Sequence, residues 1–79
     1  MTLETILVPD LGDVDQVRVI ELCCKPGDMV EEEASLIVLE SDKATMDVPS
    51  PSGGVLYRFL VREGDEVSTG DMVAELDVQ

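Results

Sequence analysis

The chain repeats itself at an offset of 37 residues, and this repeat is the strongest constraint on its fold. Lys25-Pro26-Gly27-Asp28-Met29-Val30 aligns with Arg62-Glu63-Gly64-Asp65-Glu66-Val67, and apolar positions on both sides of these segments align as well. A repeated segment usually corresponds to a repeated structural unit. Because each unit is too short to bury an apolar face alone, the two copies are expected to share one core. The repeat predicts a single domain, residues 1–79, with approximate two-fold symmetry.

Short apolar runs alternate with Gly, Pro, Asp and Ser, and no stretch sustains a helical period. Alternation is clearest where Val55, Tyr57, Phe59 and Val61 are predicted to share one strand face, and residues 20–24 show the same period. Other predicted strands cover residues 3–8, 36–40, 45–48 and 72–77. The pattern predicts an all-β fold, a flattened β-barrel or sandwich.

Size and charge exclude several classes of function. A chain of 79 residues buries only about 60% of its unfolded surface, which leaves no room for a deep substrate cleft. The net charge of −13 disfavours nucleic acids and anionic membranes as partners. No run approaches the roughly 20 apolar residues of a membrane span, and no signal-peptide pattern is visible. We therefore expect a cytoplasmic domain that is not an enzyme by itself and that meets basic partner surfaces.

Few residues could carry catalysis or bind a metal. The chain has no His, and its two cysteines, Cys23 and Cys24, are adjacent, which favours reduced thiols in a strand over a disulfide or a zinc site. Asp10, Asp13 and Asp15 lack the later bidentate Glu of an EF-hand, so a calcium site is a weak alternative to a solvated loop. We expect no catalytic residue and no metal site.

Lys43 is set apart by its place between two predicted strands. The turn Ser41-Asp42-Lys43-Ala44 follows the last strand of the first repeat, whereas the corresponding place in the second repeat is the chain terminus. A turn that begins with Ser-Asp favours a type I turn in which side-chain oxygens bond to backbone amides. Although a lone exposed lysine is ordinarily only a solubilising charge, this one is expected to point into solvent, open to a modifying enzyme.

The stretch around this turn resembles the lipoylation site of lipoyl domains. The similarity covers nearly the whole chain and rests on three segments, Glu40 to Pro49, Val8 to Gly12, and Lys25 to Asp28. It implies a flattened barrel of two four-stranded antiparallel sheets, with lipoic acid in amide linkage on Lys43. It also implies that lipoate-protein ligase or a lipoyl transferase reads the presentation of that lysine through Glu40, Asp42, Ala44, Gly27 and Gly54.

The resemblance further implies a swinging arm in a 2-oxo acid dehydrogenase complex. A thiamin-diphosphate decarboxylase would reductively acylate the lipoyl group, the acyltransferase core would pass the acyl group to coenzyme A, and dihydrolipoyl dehydrogenase would reoxidise the arm. Residues 44–51 resemble the pyruvate type, as does a loop that would help the decarboxylase recognise its domain: Gly12, Asp13, Val14 and Asp15. The sequence is therefore expected to be an N-terminal segment of a dihydrolipoamide acetyltransferase, although some dihydrolipoyl dehydrogenases carry a similar domain.

Two alternatives share this fold by resemblance. A biotin carrier domain presents its lysine on the same tip, typically between two methionines, where this chain has Asp42 and Ala44. An unmodified module of the kind found in membrane-fusion proteins would leave Lys43 bare. A glycine-cleavage carrier is also lipoylated, but it is usually longer.

Overall fold

The computed structural model describes residues 1–12 and 14–78, which form eight β-strands. The strands are β1 (Leu3–Leu7), β2 (Val17–Leu22), β3 (Met29–Val30), β4 (Ser35–Glu40), β5 (Thr45–Pro49), β6 (Gly54–Phe59), β7 (Glu66–Val67) and β8 (Met72–Asp77). None of the described residues belongs to a helix that could cross a membrane.

The strands form two four-stranded sheets, in the orders β1-β8-β6-β3 and β5-β4-β2-β7, and every hydrogen-bonded pair is antiparallel. Replacing β1 by β5, β8 by β4, β6 by β2 and β3 by β7 converts one sheet order into the other. The repeated Gly-Asp turns match as well, since φ is 95° at Gly27 and 96° at Gly64. The predicted all-β fold of two symmetric sheets is confirmed.

Two β-bulges at equivalent places, one in β2 and one in β6, correct the predicted alternation. The register shifts between Val19 and Glu21 in β2 and between Leu56 and Arg58 in β6, so that Ile20 and Tyr57 lie outside the ladder. A bulge moves the following residues to the other face. Before the shift Leu56 is fully buried and Tyr57 is 44% exposed, whereas Phe59 and Val61, which follow it, pack against the core. The prediction that Val55, Tyr57, Phe59 and Val61 share one strand face is therefore wrong, because Phe59 and Val61 lie on the core side.

The core between the sheets is aliphatic. Its largest fully buried apolar side chains are Leu36, Ile37, Leu39, Leu56, Leu76, Val19, Val48 and Val73. Each such side chain contributes about 1.5–3 kcal/mol when it leaves water. Because both sheets supply these residues, the sandwich holds its hairpins rigidly, and the loops at the sheet ends are positioned by the same core.

Candidate functional site

Lys43 lies at the tip of the hairpin that joins β4 to β5. Glu40 pairs with Thr45 at the end of the ladder, and the Ser41 amide donates a hydrogen bond of 2.8 Å to the Ala44 carbonyl. Only residues 42 and 43 therefore extend beyond the paired backbone, and both are exposed. The Lys43 ammonium group has no ion-pair partner among the described residues. The hairpin thus presents an amine on a short, closed turn, as the sequence predicts.

The Ser41 side chain holds this turn in shape. Its hydroxyl oxygen accepts hydrogen bonds from the Lys43 and Ala44 amides, each at 3.2 Å, and its proton can be donated to the Ala44 carbonyl. Neither residue 42 nor Lys43 has a positive φ, in agreement with the predicted type I turn. The sequence signal for Ser41, a serine two positions before the lysine, was visible, but Ser41 was not predicted as a site residue.

The two-fold symmetry explains why this tip is unique in the described structure. The position equivalent to the lysine turn is the meeting point of the two chain ends. There the Val78 amide donates a bond of 2.9 Å to the Thr2 carbonyl, which matches the bond of 2.8 Å between Ser41 and Ala44. The same backbone geometry therefore occurs as a closed hairpin at one end and as two open ends at the other.

An open groove of about 320 Å³ adjoins the lysine turn. In the strand register, Arg18 lies opposite Glu40 on one side and opposite Glu66 on the other. The residues that line the groove are Gln16, Val17, Arg18, Glu40, Ser41, Asp42 and Glu66. Its surface therefore carries three carboxylates and one guanidinium group, which suits recognition by a basic surface better than catalysis.

The described residues include two thiols and no cluster that could hold a metal ion. In residues 1–12 and 14–78, no cluster of three or more His, Cys, Asp or Glu side chains could hold a metal ion. Both cysteines are free; Cys23 is exposed and Cys24 is half-buried. Burial raises the pKa of the Cys24 thiol, and the nearby charges of Asp28 and Cys23 raise it further. A thiol with a raised pKa is a weak nucleophile. The chemistry that this arrangement supports is attachment at the exposed lysine.

The predicted recognition loop leads into a strand that borders this groove. The Leu11 amide donates to the Thr69 Oγ at 3.0 Å, and the Gly12 amide donates to the carboxylate of Asp10 at 2.9 Å. Asp13 lies outside the described residues. Beyond Val14 and Asp15 the chain reaches Gln16, which lines the groove. The residue after the loop therefore shares a groove with Ser41 and Asp42, and the role of the loop itself in recognition stays a prediction.

Two of the predicted presentation residues lie in the other half of the sandwich. The Gly27 amide donates to the Leu56 carbonyl at 2.8 Å, and a Cβ atom on Gly54 would stand only 2.3 Å from the Asp77 carbonyl oxygen. The backbone therefore favours glycine at both positions, because Gly27 adopts a left-handed conformation and Gly54 lies against the backbone of Asp77. The structure brings Glu40, Asp42 and Ala44 together around Lys43, but not these two glycines.

The chain is similar to proteins of known function. The model of the biotin/lipoyl family, described as "Biotin-requiring enzyme", matches residues 4–76. The dihydrolipoyllysine-residue acetyltransferase component of the pyruvate dehydrogenase complex from Pseudomonas aeruginosa is 47% identical over 99% of this chain, and that from Cupriavidus necator is 53% identical over 91%. The succinyltransferase component of the 2-oxoglutarate dehydrogenase complex from Cupriavidus necator is 32% identical over 100% of this chain. The chain spans only 14%, 13% and 19% of these relatives, respectively.

Solved structures share the fold. The lipoyl domain of the 2-oxoglutarate dehydrogenase complex from Azotobacter vinelandii superposes with a TM-score of 0.70 at 25% identity, covering 91% of this chain and 95% of that domain. The urea carboxylase of Kluyveromyces lactis gives a TM-score of 0.83 at 27% identity, covering 98% of this chain and 6% of that enzyme. The resemblance to lipoyl domains that the sequence indicates is thereby confirmed.

Proposed function

The chain belongs to the biotin/lipoyl family, and on this premise we propose that its 79 residues form one carrier domain with lipoic acid in amide linkage on Lys43. The observation that carries this proposal is the geometry of the hairpin tip. The Lys43 amine is exposed and has no ion-pair partner among the described residues, and the backbone amide of Lys43 donates a hydrogen bond to the Ser41 hydroxyl group. A modifying enzyme would therefore meet a fixed backbone and a free amine.

The domain acts as a swinging arm of a pyruvate dehydrogenase complex. Support comes from the higher identity to acetyltransferase components, 47% and 53%, than to the succinyltransferase component, 32%. The parent chain would be a dihydrolipoamide acetyltransferase. Because these relatives are bacterial, we place the complex in the bacterial cytoplasm. Fold alone does not define a function, so the proposal rests on the lysine turn together with these relatives.

A lipoyl group on Lys43 would supply a dithiolane, a cyclic disulfide that can accept an acyl group on one sulfur while the other becomes a thiol. This chain contributes attachment, orientation and recognition. The rigid hairpin fixes where the arm begins, and the long lysine side chain gives it reach. The partners are lipoate-protein ligase or a lipoyl transferase, the thiamin-diphosphate decarboxylase, the acyltransferase core with coenzyme A, and dihydrolipoyl dehydrogenase.

The test is an intact-mass measurement with peptide mapping after incubation with lipoate-protein ligase, lipoate and ATP. We expect one lipoyl adduct on Lys43 and none on a Lys43→Arg variant, which keeps the positive charge but lacks the amine. Circular dichroism of both proteins checks that the substitution leaves the fold intact. A folded wild-type domain that gains no adduct would refute the proposal.

Biotinylation is the second candidate, because the matching family model covers biotin as well as lipoyl domains and is described as "Biotin-requiring enzyme". The same experiment with biotin ligase and biotin separates the two. A biotin adduct on Lys43 without a lipoyl adduct would replace the proposed function. Absence of both adducts would favour an unmodified structural module.

A further inference from the structure

The two-fold symmetry places the same surface depression on the domain twice. One depression, of about 560 Å³, is lined by Leu60, Val61, Asp65, Glu66, Val67, Asp71 and Met72. The other, of about 540 Å³, is lined by Cys23, Cys24, Asp28, Met29, Val30, Glu31, Ala34 and Ser35. Every residue of the first lies 37 positions after a residue of the second. The second depression therefore serves as an internal comparison for the first, and it carries Met29, 86% exposed, where the first has Glu66.

The two copies differ in the side chains of their walls. Leu60 and Met72 are 39% and 61% exposed, whereas the equivalent positions in the other copy are Cys23 and Ser35. Leu7 is 49% exposed and lies opposite Met72 in the register of β1 and β8. These three residues, Leu7, Leu60 and Met72, form what we call the apolar patch. Exposed apolar residues that are contiguous often mark an interaction surface.

The apolar patch is continuous with the surface around Lys43. Glu66 lines both the depression beside the patch and the groove beside the lysine turn. Asp71, which precedes Met72, accepts a hydrogen bond of 2.9 Å at its carbonyl from the amide of Val8. This bond connects the turn beside the patch to the segment that leads into residues 12–15. The depression beside the patch therefore adjoins the groove beside the lysine turn. The second copy, around Cys23, has no lining residue in common with this groove.

The charge around the patch restricts what can cover it. Asp65, Glu66 and Asp71 line the depression next to Leu60 and Met72. A second copy of the chain would bring another net charge of −13 against this rim, which opposes self-association. The complementary surface has an apolar centre and basic groups around it.

We propose that the apolar patch docks the thiamin-diphosphate decarboxylase while the lipoyl arm on Lys43 reaches its active site. This inference rests on the proposed function. A ligase reads the lysine within its turn at the hairpin tip, whereas the reacting group in the decarboxylase must be kept from water, so the arm has to be inserted fully and the domain has to seat against the enzyme. A specific interface buries roughly 1,200 Å² or more over both partners, so contact has to extend beyond the two turn residues at the hairpin tip. The patch supplies the additional contact.

The test compares a variant of the patch with a matched variant of its symmetric copy. Met72→Ser combined with Leu60→Ala gives the patch small side chains like those at the equivalent positions, which this fold already accommodates. Cys23→Leu combined with Ser35→Met makes the reciprocal change in the other depression. Both proteins are lipoylated, and their reductive acetylation by the decarboxylase component of the pyruvate complex from the same organism is followed by intact mass at increasing domain concentration.

We expect KM to rise about tenfold for the patch variant, since losing about 1.4 kcal/mol of contact weakens binding tenfold, with kcat changed less than about twofold. The reciprocal variant should keep the wild-type KM, and the rate of lipoylation should be the same for all three proteins. Raising the salt concentration should increase KM, because the rim is charged.

Several results would overturn the inference. An unchanged KM for the patch variant would remove the docking role, and an equal rise for the reciprocal variant would show that the effect is not local. Slower lipoylation of the patch variant would assign the surface to the ligase instead. If the double variant does not fold, Met72→Ser alone, at the most exposed position of the patch, decides by the same criteria. Failure of the wild type to accept lipoate would count against the proposed function and is seen before any decarboxylase is added.

Discussion

Glu33 is the position where a single substitution should make this domain more stable. Its φ is 74°, a left-handed conformation that a residue with a Cβ atom adopts at a cost. The two-fold equivalent, 37 residues later, is Gly70 with a φ of 87°. The backbone contacts agree as well: the Glu33 amide donates to the Ser50 carbonyl at 2.8 Å, and the Gly70 amide donates to the Val8 carbonyl at 3.0 Å. The fold thus requires the same turn twice and has glycine in only one of them.

The free energy of unfolding that Glu33→Gly should add is the difference between two opposing effects. The left-handed conformation costs an ordinary residue about 1–2 kcal/mol, and this strain disappears in glycine. Glycine also increases the entropy of the unfolded chain, which removes about 0.5–1 kcal/mol of the gain. The free energy of unfolding should therefore rise by about 0.5–1 kcal/mol, or about 2–8 °C in Tm for a domain of this size. Loss of one carboxylate from the run at residues 31–33 acts in the same direction, because the chain is strongly negative.

Urea unfolding followed by circular dichroism, with a thermal melt of each protein, measures this change. Glu33→Gln removes the charge and keeps the strained backbone, so it should gain less than the glycine variant. Gly70→Glu introduces the strain into the second turn and should lower the free energy of unfolding by a similar amount. The reasoning is refuted if Glu33→Gly is no more stable than the wild type, or if Glu33→Gln reproduces its whole gain.

Two further predictions concern backbone geometry. Gly54→Ala should lower the free energy of unfolding by about 1–3 kcal/mol, because its Cβ atom would meet a backbone oxygen at 2.3 Å. The control is Gly53→Ala, whose Cβ atom would have its nearest neighbour at 3.7 Å, and it should change the free energy of unfolding by less than about 0.5 kcal/mol. Equal urea midpoints for the two alanine variants would contradict this. Moving the lysine by one position, with Asp42→Lys and Lys43→Ala together, should abolish lipoylation and leave the fold unchanged, because neighbouring turn residues point in different directions. Normal lipoylation of the shifted protein, measured by intact mass, would show that the position in the turn does not matter.

The β class, the two-fold repeat and the lysine turn were predictable from the sequence because each depends on local chemistry or on self-similarity. The repeated Gly-Asp turns require glycine at Gly27 and Gly64, and the offset of 37 residues between them defines the symmetry. Lys43 could be located because its turn is closed by neighbours in the chain, Ser41 and Ala44, whose hydrogen bonds span only a few residues.

Only the tertiary structure decided where distant residues meet. The bulges at Ile20 and Tyr57 were missed because a strand pattern does not reveal which residue its partner strand leaves unpaired. Glycine is needed at Gly54 because of a backbone atom 23 residues away, at Asp77. Arg18 lies beside Glu40 and Glu66 because two other strands pair with its own strand. Contacts of this kind depend on how the sheets pair and pack, so they exist only once the chain has folded. The sequence by itself therefore determined the units and the exposed lysine, and folding determined the surface around that lysine.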